Sequence, residues 1–488
     1  MMKNYFNWFL LLMSFQVGAV KLNNNDLGEV LLLPYYTVNN GLNTLVSISN
    51  TTILPKAVKI NIREGLNGYV VLSYNVYLDG NDSWAFALAE VSGESTELAT
   101  AQQFTSDNSC APFVSKSTSE LFVADYLVDG PQDMQRAREG FIEVIEMGVV
   151  EQDDIKRDIT DGAFRGDLTA CNRLQQRWEA GGIWHEESGG DPNTGLGPAT
   201  GGLVAQLDLI NVTDGINYSI PYKALGDFFA DDQVAHEPPM DADLSLDAAQ
   251  PIAQINANGA LRSITYDNGY DAVSALLMSD ELVSVYGLDY IVAGQTDIIF
   301  TQPTRRFYIS ELGQNPTAPY TTPAPRLFCN EENYGGTILN SVVFNRESRG
   351  FGTGLICTGQ SIPAICGSVF VQSLGLESAF ESPRVTASNN WDFLYAGGDG
   401  TFENGFVQTR FNNTLPLVGL DAETTESVQI NGLPVMGFSL IKFTNAGAVE
   451  GLLAQYGGAH ESSSRFSIVM GDVIPEVGTS NTQIPVCE

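Results

Sequence analysis

The chain is poor in basic residues: 24 lysines and arginines stand against 58 aspartates and glutamates, a formal charge of −34. Such a surface repels phosphate backbones and anionic membranes, which argues against nucleic-acid and membrane-surface partners. It suits the solvated surface of an exported protein, with cation binding as the alternative. Histidine is scarcer still, with three in 488 residues. No Cys-x-x-Cys pair occurs, so zinc ribbons and thioredoxin-type exchange have no support. No Gly-x-x-x-x-Gly-Lys-Ser/Thr loop is present. Gly350-Phe351-Gly352-Thr353-Gly354 precedes no helical pattern and reads as a turn, and Pro198 spoils Gly195-Leu196-Gly197. The Gly-x-Ser-x-Gly elbow of serine hydrolases is missing. Its nearest approach, Gly359-Gln360-Ser361-Ile362-Pro363, lies between Cys357 and Cys366 and reads as a stapled loop. Past the leader no run of about 18 apolar residues exists to make a membrane helix. No fixed-period repeat supports a solenoid or propeller.

What is present begins with a leader. Lys3, an apolar core through Phe15, and Val17-Gly18-Ala19 match a secretory signal peptide cut after Ala19. An uncleaved anchor is the alternative, but the apolar run is short for a bilayer. The mature chain then has 488 − 19 = 469 residues, enough for two or three domains at about 100–200 residues each. Six cysteines, Cys110, Cys171, Cys329, Cys357, Cys366 and Cys487, are an even set in an exported chain and imply up to three disulfides. Cys357 and Cys366 are close enough to staple one loop, and Cys487 would pin the tail. Cys171 falls on the apolar side of a predicted helix, which suits a disulfide better than catalysis.

The pattern is mainly β: an immunoglobulin-like β-sandwich at the N-terminus, then further β-rich domains with a few short helices. Val30–Tyr36, Leu45–Ile48, the alternating Val58, Ile60 and Ile62, Tyr69–Leu78 and Trp84–Leu88 are strands. Asn-Gly and Asp-Gly turns separate them. The sandwich is expected over residues 20–125, without the Cys–Trp–Cys pattern of true immunoglobulins. A β-rich middle domain with two short helices follows over 126–325, and a β-rich C-terminal domain over 326–488. In the middle domain, Phe141–Val150 carries carboxylates on both faces, as an edge or solvent-facing strand would. Asp167 caps a helix through Trp178, and Asp271 caps one over Ala272–Tyr286. Leu203–Val212 and Ile216–Tyr222 form a hairpin. Gly313–Pro325 is the linker candidate. Later strands are Ile338–Phe344, Ser368–Gln372, Phe406–Phe411, Val428–Ile430, Pro434–Phe443 and Arg465–Met470, with a helical turn at Gly451–Tyr456.

Each histidine precedes a carboxylate: His185-Glu186, His236-Glu237 and His460-Glu461. Imidazole plus carboxylate can ligate Zn²⁺ or Cu²⁺, so these three are the candidate metal ligands; the alternative is exposed loop histidines, since no His-Glu-x-x-His motif joins them. Asp79-Gly80-Asn81-Asp82 and the stretch 397–404 carry oxygens suited to Ca²⁺, but tight turns favour the same residues. A glycan hydrolase needs only two well-spaced carboxylates, and Trp178, Trp184 and Trp391 could stack on sugar; core or rim packing is the simpler reading.

One resemblance spans nearly the whole mature chain. It rests on Pro34-Tyr35-Tyr36-Thr37-Val38-Asn39-Asn40-Gly41, Arg63-Glu64-Gly65-Leu66-Asn67 and Glu139-Gly140-Phe141-Ile142-Glu143-Val144-Ile145-Glu146-Met147-Gly148. It continues in Gln302-Pro303-Thr304-Arg305-Arg306-Phe307-Tyr308, Gly432-Leu433-Pro434-Val435-Met436-Gly437-Phe438 and Tyr456-Gly457-Gly458. Together these resemble a family of exported proteobacterial surface proteins of unassigned function. The resemblance implies an exported bacterial protein and brings no catalytic residues. The expectation is an exported, non-enzymatic structural or interaction protein at the cell surface, in the medium or in the periplasm. Its partners would be other surface proteins or further copies of itself, with no cofactor beyond a possible divalent cation. The alternatives are a secreted glycan-active hydrolase and a divalent-cation-binding surface protein.

Overall fold

The computed structural model describes residues 18–91, 100–128, 133–257, 259–309, 317–320, 337–352, 364–365, 367–374, 378–380, 382, 402–411, 414–449 and 452–471. The chain is mainly β, in several antiparallel sheets. Its first half supplies β1 (Lys21–Leu22), β2 (Val30–Thr37), β3 (Asn43–Asn50), β4 (Lys56–Glu64), β5 (Val70–Leu78), β6 (Ser83–Glu90), β7 (Ala101–Phe104) and β8 (Glu120–Leu121). Then come β9 (Glu139–Val150), β10 (Leu196–Gly197), β11 (Leu203–Asn211), β12 (Ile216–Ser219) and β13 (Lys223–Gly226). One sheet of seven strands runs β1-β13-β2-β9-β4-β5, with β10 on β9; a second of six runs β12-β11-β3-β6-β7-β8. The two share one core, built by Leu33, Ile60, Tyr74 and Val144 from the first sheet and Val46, Ile48, Trp84, Phe86 and Leu207 from the second.

The boundary expected at residue 125 therefore runs through both sheets. β9 lies between β2 and β4, and β11 pairs with β3. The two sheets that share this core take strands up to residue 226, so the expected immunoglobulin-like unit over 20–125 is not found as a separate sandwich. The boundary expected at 325 is crossed in the same way. Strand Gln295–Thr301 pairs with Val369–Leu374 on one side and Met436–Val449 on the other. Strand Glu281–Gly287 pairs with Asn404–Phe411. Most of the proposed linker 313–325 lies outside the described residues. The later sheets are joined to the sandwich by packing: Ile299, Val369, Val371, Phe438 and Leu440 belong to its core.

β9 also departs from expectation. It was expected at an edge because Glu143 and Glu146 fall on opposite faces, yet all 12 of its residues are buried at the centre of the sheet. The reason is tertiary: both carboxylates meet cations from neighbouring elements. The same holds for Lys59, Asn61 and Arg63 on β4, which alternate with apolar residues as a solvent-facing row would, yet are buried. Their face of the sheet is covered by α1 (Asp153–Arg165), α2 (Leu168–Gln176) and the segment 227–250. From these, Ile155, Ile159, Leu174, Phe228, Leu244 and Leu246 pack against Leu32, Ala57, Tyr77, Ile145 and Met147 of the sheet.

Local capping explains α2 but not the helix that follows Asn268, where the expected cap Asp271 lies inside the first turn. The Asp167 side chain accepts the Thr169 amide at the start of α2, as expected. The helix expected over 272–286 is shorter: α3 spans Gly269–Leu277, and the chain turns into strand Glu281–Gly287. There Leu282, a core residue, answers the period-two packing of the sheet rather than a helical stripe. The expected helical turn at 451–456 is strand, Leu452–Glu461, paired along Met436–Val449. A Cβ on Gly457 of this strand would lie 2.3 Å from the Tyr218 ring of β12. Glycine lets the hairpin lie against the sandwich.

Candidate functional site

The one cysteine pair within the described residues is bonded: Cys110 to Cys171. Cys110 sits opposite Tyr77, whose amide donates to its carbonyl, and Cys171 lies in α2. Their sulfurs pack on Gly162 of α1, where a Cβ would come within 2.2 Å of Cys110 Sγ. The expectation of a disulfide for Cys171 is met. Cys329, Cys357, Cys366 and Cys487 lie outside the described residues, as do the 359–363 loop, Trp391 and most of 397–404.

Beside the disulfide is a buried aromatic group of Tyr77, Trp178, Trp184 and His236. Tyr77 stacks on Trp184 at 5.7 Å, and His236 meets the Trp178 and Trp184 rings at 4.7 and 4.8 Å. Trp178 Nε1 donates to Tyr77 Oη (2.9 Å), which donates to His236 Nε2 (2.8 Å). His236 Nδ1 donates to the Pro192 carbonyl. A carbonyl can only accept, so Nδ1 carries the proton and Nε2 is the acceptor. Both ring nitrogens are thus occupied inside the core, and burial lowers the imidazole pKa to about 3. This corrects the reading of His236 as a metal ligand. The two tryptophans, read as possible sugar platforms, are 6% and 0% exposed and serve as core.

The other histidines sit apart. His185 caps a 3-10 turn, its Nδ1 accepting the Ser188 amide and meeting Ser188 Oγ at 2.9 Å. His460 is exposed on strand Leu452–Glu461, opposite Ser439. Among the described residues no group of three His, Cys, Asp or Glu side chains is arranged to hold a metal ion. Asp79–Asp82 uses its oxygens on its own turn: the Asp79 and Gly80 amides donate to Asp82 Oδ2 and Asp79 Oδ1, and Asn81 takes a positive φ of 59°.

The densest chemistry is a set of buried ion pairs on β4 and β9. Lys56 Nζ meets Glu146 Oε1 at 2.6 Å with both side chains fully buried. Glu146 also accepts the amides of Thr200 and Gly201. Burial raises its pKa against these partners. Glu143 accepts from Arg63 Nε at 2.6 Å and from Arg306 Nη1 at 3.0 Å. Burial pushes its carboxyl up, but the two guanidiniums outweigh that and hold it below its ordinary value. Lys59 Nζ reaches Glu237 Oε1 at 3.0 Å and the carbonyls of Pro238 and Asp241. Burial brings its pKa down to about 8. With Asn61 donating to the Leu244 carbonyl and Asn75 to that of Glu237, these side chains clamp segment 237–244 onto the sheet. Sequence reasoning missed this set. The signal was there, in a cation-bearing strand (Lys56, Lys59, Arg63) and an acid-bearing one (Glu139, Glu143, Glu146), but only their pairing reveals it.

One surface differs from all this. β4, β5 and β9 are buried on both faces, whereas β3 and β6 alternate buried and open positions. Among the described residues, nothing covers the outer face of the six-stranded sheet around β3 and β6. Leu45 and Phe104 are 37% and 42% exposed there. With Ser47, Ala85, Ala87 and Gln206 they line a shallow groove of about 530 Å³. Asp208 at its margin is held by Gln206 Nε2 and Ser219 Oγ. Ala85 and Ala87 on β6 put little side chain into the groove's floor.

No family model, no curated protein and no solved structure matches the chain.

Proposed function

We propose that this is an exported, non-enzymatic structural or interaction protein of the bacterial cell surface or its surroundings. Its binding surface would be the outer face of the six-stranded sheet. The observation that carries the reading is one-sided burial: one sheet is covered on both faces, while its partner leaves an apolar groove around Leu45 and Phe104 open to solvent. Antiparallel sheets tolerate one solvated face, and an apolar groove on such a face suits protein contact. The Cys110–Cys171 disulfide and the acidic composition support an oxidising, extracytoplasmic setting. The partner is a surface protein or a second copy of the chain.

The test is light scattering on the natively exported protein after size exclusion, with negative-stain images of each peak, for the wild type and for Phe104→Asp and Leu45→Asp. Polymers or complexes that disappear in the two variants, with unchanged melting, support the reading. Recovery of the mature protein only from the cytosol overturns the export half. Assembly indifferent to both substitutions overturns the assignment of the face.

A further inference from the structure

The residues around the expected cleavage point are locked into the fold. Ala19 is 6% exposed and Val20 is not exposed at all. Val20 donates its amide to the Ile252 carbonyl at 2.7 Å, and its own carbonyl accepts the Gln254 amide at 2.8 Å. It forms a parallel bridge opposite Ala253, and its side chain belongs to the core beneath the covered sheet. The next two residues, Lys21 and Leu22, pair with Gly226 and Leu225 of β13. Ahead of the bond, Gly18 and Ala19 line an open polar pocket with Glu29 and Gln250, so what locks the bond is the backbone pairing of Val20 and the strand behind it.

We infer that Ala19–Val20 is a processing site that exists only in the unfolded chain: the bond is hydrolysed before the N-terminal strand docks and is out of reach afterwards. This rests on the export reading above. A signal peptidase must hold the residues flanking the bond as an extended strand in its own cleft. It would compete for the Val20 amide and carbonyl, which Ile252 and Gln254 already hold. Water adds across the amide, the carbon–nitrogen bond breaks, and Ala19 leaves as a carboxylate while Val20 keeps an α-ammonium. That ammonium retains a donor for the Ile252 carbonyl, so the strand docks after cutting with its first hydrogen bond intact. Docking and cutting are therefore ordered, and a chain that folds first keeps its leader.

The experiment gives purified signal peptidase in detergent either the nascent full-length chain during synthesis or the same 488-residue chain already folded. Mass spectrometry reads whether the product starts at Val20. The expected result is cutting of the nascent chain, and cutting of the folded chain slowed on the order of a hundredfold, because only the locally opened fraction is a substrate. Ala253→Asp, opposite Val20, and the milder Leu22→Asp restore cutting of the folded chain, with circular dichroism showing which variants keep the fold. Equal rates on nascent and folded wild type overturn the inference alone, as does a folded Leu22→Asp that stays uncut. No cut at this bond in either form overturns the export reading and the inference with it.

Discussion

Glu143→Gln tests whether the buried charges on β9 are structural pairs. The substitution keeps the shape and removes the negative charge between Arg63 and Arg306, which contact it at 2.6 and 3.0 Å. Their side chains are only 5% and 13% exposed. Burial, with Arg63 adding to it, already brings the Arg306 guanidinium down to about 10. Without the carboxylate the two cations face each other with little water to screen them. Breaking a buried pair in this way costs about 3–5 kcal/mol. At roughly 2–4 °C per kcal/mol for a unit of 150–250 residues, the melting point should fall by about 6–20 °C. The assay is urea and thermal unfolding followed by circular dichroism and tryptophan fluorescence. An apolar triple replacement, with Met at 63, 143 and 306, should recover most of the loss, since well-packed apolar residues can replace a buried ion group at little cost. Glu347→Gln, at an exposed pair with Arg346, should change nothing measurable. A loss under about 1 kcal/mol for Glu143→Gln would refute the reasoning, as would a triple replacement no more stable than the single one.

Two buried groups set opposing pH limbs. His236 titrates at about 3 in the fold and near 6.5 when unfolded, so its contribution is complete above pH 6.5 and is lost as pH falls toward 3, by about 4–5 kcal/mol. Asp297 is raised to about 6 by burial, so its limb has the other sign: stability is fullest below pH 3.8 and is lost, by about 3 kcal/mol, as pH rises through 6. Unfolding free energies measured from pH 4 to 7 should show a shallower acid loss for His236→Asn and a steeper one for Asp297→Asn. Reduction of Cys110–Cys171, which closes 61 residues, should cost about 4 kcal/mol in urea melts with and without reductant. Gly457→Ala should lose about 1–3 kcal/mol by overpacking against Tyr218; a melt unchanged from wild type would show that the hairpin is free to move off.

Much of the fold was legible in the sequence. β2, β3, β5 and β6 fall within two residues of the ends that alternation and turn residues indicated, because those signals are local. The hairpin of β11 and β12, the Asp167 cap and the bonded state of Cys171 were legible for the same reason. What escaped depends on partners far along the chain. Glu143 looked solvent-facing because Arg306 is 163 residues away. His236 looked like a loop histidine because the side chain that binds it, Tyr77, is 159 residues distant. The boundary at 125 failed because β9 and β11 return to strands laid down far earlier in the chain, as Ile145 pairs with Val30 and Leu207 with Val46. The uncovered sheet face was invisible too, since alternation marks a half-open strand but not which sheet a helix pair will cover.

The placement of β9 has a consequence for synthesis. β2 takes both of its neighbours, β9 and β13, from later in the chain, while β4 and β3 each wait for one. A polypeptide interrupted before residue 139 thus carries β2 with neither edge satisfied and β4 and β3 with one bare edge apiece. Unsatisfied edges recruit whatever strand is nearest, including the same strand on another molecule. Stalled or clipped products of this chain should be sticky out of proportion to their length. Completing the fold takes either uninterrupted synthesis through residue 226 or a chaperone that shields the early strands until their neighbours arrive.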